Sequence, residues 1–136
     1  MSLSPTYTKT FFIPESSIDE NGHVNNVVYV QWMQDIAVEH YSSIGGIQAQ
    51  GPDATWVVRE HKVEYLLPAY VGEEIEIRTW VENIKRVRSL RKYEFVRKSD
   101  GKTLVKGETD WVFVDVQSGR PLAIPQEVVD VFRVVE

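Results

Sequence analysis

The sequence contains no cysteine among its 136 residues. That absence excludes disulfides, thiolate metal sites and a cysteine nucleophile. Its three histidines are scattered along the chain without the clustered spacing that a zinc site requires. We therefore predict a protein that needs neither a metal ion nor a bound cofactor.

Long apolar runs are also missing. No segment approaches the roughly 18 consecutive apolar residues of a membrane span, and the N-terminal segment has no apolar stretch behind a basic start. We expect a cytoplasmic protein without a signal peptide. Lys and Arg number 15 against 20 Asp and Glu, a net charge of −5. This balance argues against a nucleic-acid partner, because phosphate contacts need a surplus of cations.

One long helix is predicted from the spacing of apolar residues. Apolar and aromatic side chains recur at intervals of three and four from Tyr29 to Ile44, which is typical of an amphipathic helix. Asn26 is the predicted N-cap, and Gly45-Gly46 is the predicted stop. Because aromatic residues occupy the first half of the stripe, we expect this helix to be deeply buried.

Five extended segments accompany the helix, each bounded by turn signals such as Pro14, Pro68 and Asp100-Gly101. Consecutive strands with short turns indicate an antiparallel sheet, which must curl around the helix to cover it. The outer face of that sheet carries Trp80, so we expect an oligomer to cover it. The predicted strands are residues 7–13, 55–67, 73–82, 88–98 and 104–116, followed by a short C-terminal helix from Pro125.

The loop before the helix carries the residues best suited to chemistry. Asp19 precedes the helix, Gly22 permits a tight turn, and Asn25 and Asn26 can fix the loop through side-chain bonds. The helix start offers unpaired N–H groups and a partial positive charge, which would stabilise an oxyanion. A carboxylate beside such a site is the minimum equipment for thioester hydrolysis. The same residue types also serve ordinary capping and turn formation.

Residues 19–29, read as D-x-x-G-H-V-N-N-x-x-Y, resemble the signature of the 4-hydroxybenzoyl-CoA thioesterase-like branch of the hotdog superfamily. Residues 65–69, Y-L-x-P-A, followed by Gly72-Glu73, resemble a second landmark of that branch. The resemblance extends over nearly the whole chain. It implies one α+β hotdog domain over residues 1–136, with an antiparallel sheet of about five strands wrapped around one long central helix.

The implied activity is that of an acyl-CoA thioesterase, which hydrolyses an acyl thioester to free acid and thiol. Asp19 corresponds to the catalytic aspartate of the family, as nucleophile or as general base. Ser17 stands where many members carry a second Asp. The expected substrate-binding residues are His23, Asn25, Asn26, Val27 and Tyr29.

A basic run that includes Arg86, Arg88 and Arg91 interrupts this acidic chain. Coenzyme A phosphates or an acidic acyl carrier protein could bind there; an ordinary solvated face is the competing interpretation. The expected partners are therefore an acyl-CoA or acyl-carrier-protein thioester, and further copies of the chain in a homodimer or homotetramer.

Several alternatives remain open from the sequence. Asp35 lies near the apolar stripe of the helix, where some hotdog thioesterases place their carboxylate; the competing interpretation is a surface Asp paired with a cation. A hotdog hydratase or dehydratase would use an Asp-His pair in a different layout. A non-catalytic module would bind acyl-CoA without releasing thiol.

Overall fold

A five-stranded antiparallel sheet packs around one long helix in the computed structural model, which describes residues 2–133. The strands follow the spatial order β1-β3-β4-β5-β2. This arrangement confirms the predicted α+β hotdog fold. The single-domain boundary of 1–136 stays a prediction, and Met1 and residues 134–136 lie outside the described residues. The elements are β1 (Tyr7–Phe12), α1 (Asn26–Ser43), α2 (Gly46–Gln50), β2 (Ala54–Tyr65), β3 (Glu74–Lys85), β4 (Arg88–Arg97), β5 (Thr103–Asp115) and α3 (Gln126–Arg133).

Strict alternation decides which face of each strand enters the core. In β3, Ile75, Ile77, Thr79 and Val81 are buried, while the residues that alternate with them lie on the outer face. Trp80 lies on that outer face, as predicted, but its indole donates to Glu82 Oε1 at 2.9 Å. A shallow groove beside it is lined by Lys62, Glu64, Lys92, Glu94, Lys106 and Glu108. The outer face around Trp80 is therefore largely charged, and its cover by another subunit stays a prediction.

The N-cap of α1 is Asn25, one residue before the predicted Asn26. The Asn25 side chain accepts a hydrogen bond from the Val27 N–H at 3.0 Å, and its own backbone is extended. Both asparagines are good capping residues, so the sequence could not separate them. At the other end Gly45 adopts a left-handed conformation (φ 84°) and Gly46 begins α2. This second helix was not predicted, because five residues carry no periodic signal.

Helix α1 packs tightly against strand β5 where Met33 meets Gly107. Met33 is fully buried, and a Cβ on Gly107 would come within 2.8 Å of its Sδ. A strand glycine often marks such a close approach. Gly107 pairs with Val63 on β2 and Tyr93 on β4, so the contact lies on a strand that is paired on both sides.

One edge of the sheet is long and unpaired among residues 2–133. Strand β2 has twelve residues, pairs only with β5, and carries a bulge between Val58 and Glu60. The opposite edge is β1, which has six residues. A long free edge exposes a row of N–H and C=O groups that proteins normally cover.

We expect Gly107→Ala to lower the free energy of unfolding by about 1–3 kcal/mol, the usual cost of overpacking a core. Urea denaturation with an unchanged m-value would measure the loss. In a Met33→Ala background the clash is absent, so the same substitution should cost much less. Strictly additive effects in this double-mutant cycle would contradict a direct clash.

Candidate active site

A short antiparallel ladder shapes the loop before α1. Asn25 N donates to Ser17 O at 2.9 Å, and Asp19 N donates to His23 O at 3.0 Å. Gly22, with a φ of 83°, makes the turn between them, a conformation that favours glycine. The ladder therefore places Asp19 two strand residues, roughly 7 Å, from the Ser17–Asn25 pair, and Asn25 leads directly into the helix.

The two faces of this ladder differ in chemistry. Ile18 and Val24 pair across it, and Val24 is buried with its N–H donating to Ala69 O at 2.9 Å. Residues that oppose one another in a ladder share a face, and neighbours along a strand alternate. Asp19, His23 and Asn25 consequently share the half-exposed face. The structure brings three of the predicted site residues together.

The Asp19 carboxylate is held from one side only. Its Oδ1 accepts from Asn21 N at 2.9 Å in a local turn. Its Oδ2 accepts no hydrogen bond from any other described residue. One oxygen of a half-exposed carboxylate is thus free to act on a ligand.

The start of α1 offers fewer free donors than the sequence suggested. Asn25 occupies two of them, because its side chain accepts from Val27 N and its carbonyl accepts from Val28 N, each at 3.0 Å. The Asn26 N–H has no partner among residues 2–133, whereas its carbonyl accepts from the Tyr65 hydroxyl at 3.0 Å. The free donor at the positive end of the helix is therefore the Asn26 N–H.

Tyr29 and His23 occupy different surroundings. Tyr29 is buried in the core, in edge contact with Phe95 at 5.0 Å. Burial raises the pKa of Tyr29 to about 12, and its hydroxyl has no partner among the described residues. His23 is half-buried, with Nδ1 3.4 Å from the Val24 carbonyl oxygen. His23 is therefore open to a ligand at the surface, whereas the Tyr29 hydroxyl is closed off in the core.

Exposed apolar side chains surround the loop and the helix start, and we call them the apolar rim. Val27 is the most open of them, with 73% of its surface exposed. Contiguous exposed apolar surface marks ligand or protein interaction sites. The rim consists of Phe12, Val27, Tyr65, Leu66, Leu67, Tyr70 and Val71.

The three arginines of the basic run do not lie on one surface, and their contact with CoA phosphates stays a prediction. Arg88 is exposed and pairs with Asp110, with Nη2 2.6 Å from Oδ2, whereas Arg91 is buried with 3% of its surface exposed. Positions 88 and 91 differ by an odd number, so a strand sends them to opposite faces. Arg86 lies in the β3–β4 turn, at the far end of β3 from the Asp19 loop, roughly 35 Å of strand away.

Asp35 lies on the exposed face of α1. It accepts a hydrogen bond from Gln31 Nε2 at 2.8 Å, one turn earlier on the helix. An amide therefore takes the place of the expected cation. Its position fits the surface interpretation and gives it no contact with the Asp19 loop.

Sequence reasoning missed a buried pair at the other end of α1. Arg91 Nη1 donates to His40 Nδ1 at 2.9 Å and also to Thr79 Oγ1 at 3.1 Å. Burial lowers the pKa of His40 to about 4, with a further contribution from the Arg91 charge. Tyr7 stacks on the imidazole at 5.0 Å. The signal was available, because His40 lies in the helix stripe and Arg91 stands two residues before Tyr93 in the inward-facing positions of β4.

Within residues 2–133, no three His, Asp or Glu side chains are grouped to hold a metal ion. None of the helices described there is long and apolar enough to cross a membrane.

Comparison with known proteins identifies the class. A family model described as the thioesterase-like superfamily matches residues 14–132. The chain therefore belongs to the thioesterase-like superfamily, and the predicted hotdog thioesterase branch is confirmed. Thioester hydrolysis is the general activity of this class.

Solved structures share the fold over most of their length. PA5185 of Pseudomonas aeruginosa is 25% identical with a TM-score of 0.83, covering 93% of this chain and 88% of that one. Slr0204 of Synechocystis, a 1,4-dihydroxy-2-naphthoyl-CoA thioesterase, is 17% identical with a TM-score of 0.83, covering 94% and 96%. SAV2348 of Staphylococcus aureus, solved in complex with CoA, is 18% identical with a TM-score of 0.84, covering 96% and 83%.

A curated relative matches a shorter segment. F42H10.6 of Caenorhabditis elegans, whose name provisionally calls it an esterase, is 42% identical over 60 residues. The match covers 44% of this chain and 36% of that protein, so it spans about a third of the relative's length.

The buried His40 predicts how stability depends on pH. Because its folded pKa of about 4 lies below the ordinary 6.5, the unfolded chain binds a proton first as pH falls. Stability should therefore decrease from about pH 6.5 towards pH 4, by up to roughly 1.4 kcal/mol per pH unit from this group. His40→Gln keeps an acceptor for Arg91 and should flatten the slope between pH 6.5 and 5 in urea titrations. An unchanged slope in this variant would assign the dependence to other groups.

Proposed function

We propose that this protein is an acyl-CoA thioesterase with Asp19 as its catalytic carboxylate. The observation that carries the proposal is the ladder of residues 17–19 and 23–25, which sets a carboxylate with one free oxygen beside a helix start with one free N–H. Two similar structures support the choice of substrate, since one is named a CoA thioesterase and another was solved with CoA.

The chemistry follows from these two groups. The thioester carbonyl oxygen would accept from the Asn26 N–H at the positive end of α1, where the developing oxyanion is stabilised. Asp19 either attacks the carbonyl carbon or takes a proton from the water that attacks it. If Asp19 attacks, the carbon–sulfur bond breaks as an acyl–Asp19 anhydride forms, and water then hydrolyses the anhydride to release the acid; if Asp19 acts as base, water attacks and the carbon–sulfur bond breaks directly. In both routes the thiolate leaves and takes up a proton to become the thiol. Overall, one water is consumed per acid and thiol released.

Substrate contacts follow from the surfaces around the loop. His23 and Asn25 share the face of Asp19 and can hydrogen-bond the thioester or its amide neighbours. Val27, as part of the apolar rim, offers contact to the acyl group, and the buried Tyr29 has an unpartnered hydroxyl that an acyl group entering the core could engage. An acyl-carrier-protein thioester presents the same reacting group, so it is the alternative substrate class.

We propose in addition that the protein works as a homodimer or a larger assembly. Two observations support this: the apolar rim is exposed, and the long β2 edge is unpaired among the described residues. Since Arg86 and Arg88 lie at the far end of the sheet, they could contact CoA phosphates only at the site of a neighbouring subunit. The cytoplasmic location stays a prediction from the sequence.

Asp19→Asn should lower kcat by roughly 10²- to 10⁴-fold, because the shape is kept while the base or nucleophile is removed. Thiol release from a series of acyl-CoA and acyl-carrier-protein substrates would measure this effect. Binding of acyl-CoA should survive, since the helix start is unchanged.

Asp35→Asn is the matched control, because it makes the same change at an exposed carboxylate on α1, the helix that follows the Asp19 loop. We expect near-normal turnover from it. The site assignment is wrong if Asp35→Asn is folded and inactive while Asp19→Asn turns over normally. A wild-type protein that binds acyl-CoA but releases no thiol would instead be a binding module.

Light scattering at micromolar concentration should show at least a dimer of the 15.7 kDa chain. Leu66→Glu places a charge in the apolar rim and should shift the population towards monomer, since burying an unpaired charge is costly. Val116→Glu makes the same change at an exposed apolar position outside the rim and should leave the assembly intact. A monomeric wild type, or equal effects of the two variants, would count against this interface.

A further inference from the structure

A cavity lies at the opposite end of α1 from Asp19. It has a volume of about 220 Å³, whereas a single water needs only about 15 Å³. Tyr41, Trp56, Trp111 and Phe132 form its aromatic walls, and Arg91 forms part of its lining. Its lining also includes Val38 and Ile47, which are 57% and 49% exposed and give it an apolar opening to solvent.

Arg91 is a buried cation without a counter-charge in the described part of the chain. Its Nη1 donates to two neutral acceptors, His40 Nδ1 and Thr79 Oγ1. Phe132 covers the guanidinium at 5.9 Å from the ring centroid. No carboxylate of residues 2–133 lies within 4 Å of it, and its Nε and Nη2 groups donate to no other described residue.

The cavity therefore contains a buried cation and no anion from the described residues. Besides Arg91 and the aromatic walls, its polar lining consists of the neutral side chains Gln50, Thr55 and Ser89. His40 supplies no negative charge, because an imidazole side chain is either neutral or cationic. Buried charges and buried donors are costly unless they are paired. The buried guanidinium therefore favours a ligand that carries a negative charge and can accept several hydrogen bonds.

We propose that this cavity binds a small monocarboxylate with an apolar body. The planar guanidinium matches the two oxygens of a carboxylate, which is the geometry of a strong charge-assisted pair. The aromatic walls suit an apolar or aromatic body, and the opening at Val38 and Ile47 gives access. A ligand so placed would meet donors at its charged end and side chains of matching polarity elsewhere.

This site is separate from the proposed active site and does not depend on it. Between Asn26 and Tyr41 the helix rises by roughly 22 Å. Met33 and Ile36, both buried, occupy the inner face of the helix between the two ends. A carboxylate bound on Arg91 would therefore leave the Asp19 loop free.

The test uses benzoate as the probe and benzamide as a neutral molecule of nearly the same shape, at constant ionic strength. Calorimetry would measure the binding, and the intrinsic fluorescence of Trp56 and Trp111 would report on the cavity walls. Benzoate should bind saturably to the full-length protein and at least tenfold more tightly than benzamide, the advantage of hydrogen bonds to a charged group. Sodium chloride at the same concentration should not reproduce the fluorescence change.

Arg91→Met keeps the length of the side chain and removes its charge. This variant should fold, because it replaces an unpaired buried cation with an apolar side chain, and a melting curve would verify that. It should lose at least tenfold in benzoate affinity and bind benzoate and benzamide equally. Arg88→Met is the matched control on the same strand, exposed and paired with Asp110, and should bind benzoate as the wild type does.

Val38→Trp would narrow the opening from an exposed position and should weaken benzoate binding without a loss of stability. Equal affinities of the wild type for benzoate and benzamide would overturn the proposal without any variant. So would undiminished benzoate binding by folded Arg91→Met, or an identical response to chloride. Thiol release plays no part in these readouts, so a failure of the proposed thioesterase activity would be seen separately.

Discussion

The seating of Met33 over Gly107 is the contact on which the rest of the structure depends. Because β5 presents no side chain there, Met33 of α1 packs directly against the sheet. Gly107 is paired on both sides, so this contact joins the helix to the interior of the sheet and not to its edge. One end of the helix is held at the Asp19 loop, and the other end at Arg91.

Each end of the helix leaves polar groups without partners, and the two ends use them differently. At the first turn the free groups are an Asp19 oxygen and the Asn26 N–H, open to solvent and ringed by apolar side chains. Near the last turn the uncompensated group is the guanidinium of Arg91, which donates to His40 and Thr79 but has no counter-charge among the described residues and lies beside aromatic walls. The first arrangement combines an acceptor with a donor, which suits reaction at a carbonyl. The second offers a buried cation, which suits retention of an anion.

Membership of the thioesterase-like superfamily agrees with the physical features of the loop. The ladder between residues 17–19 and 23–25 places apolar Ile18 and Val24 in the core, and this anchoring turns Asp19 outwards. Asp35, by contrast, faces solvent on α1 and pairs with Gln31. Asp19 stands beside the free N–H at the start of α1, whereas Asp35 does not. Neither residue type nor spacing in the sequence reveals this difference.

The sequence by itself determined the elements whose causes are local. Alternation predicted β3 with Ile75, Ile77 and Val81 inwards, the three-and-four spacing predicted α1, and the D-x-x-G-H-V-N-N pattern indicated the loop. Tertiary structure decided the rest: which asparagine caps α1, the presence of α2, the charged outer face beside Trp80, and the burial of Arg91 against His40. Periodicity and turn chemistry act between near neighbours in the chain. The partner of a buried charge or a free donor depends on contacts between distant segments, which no local pattern records.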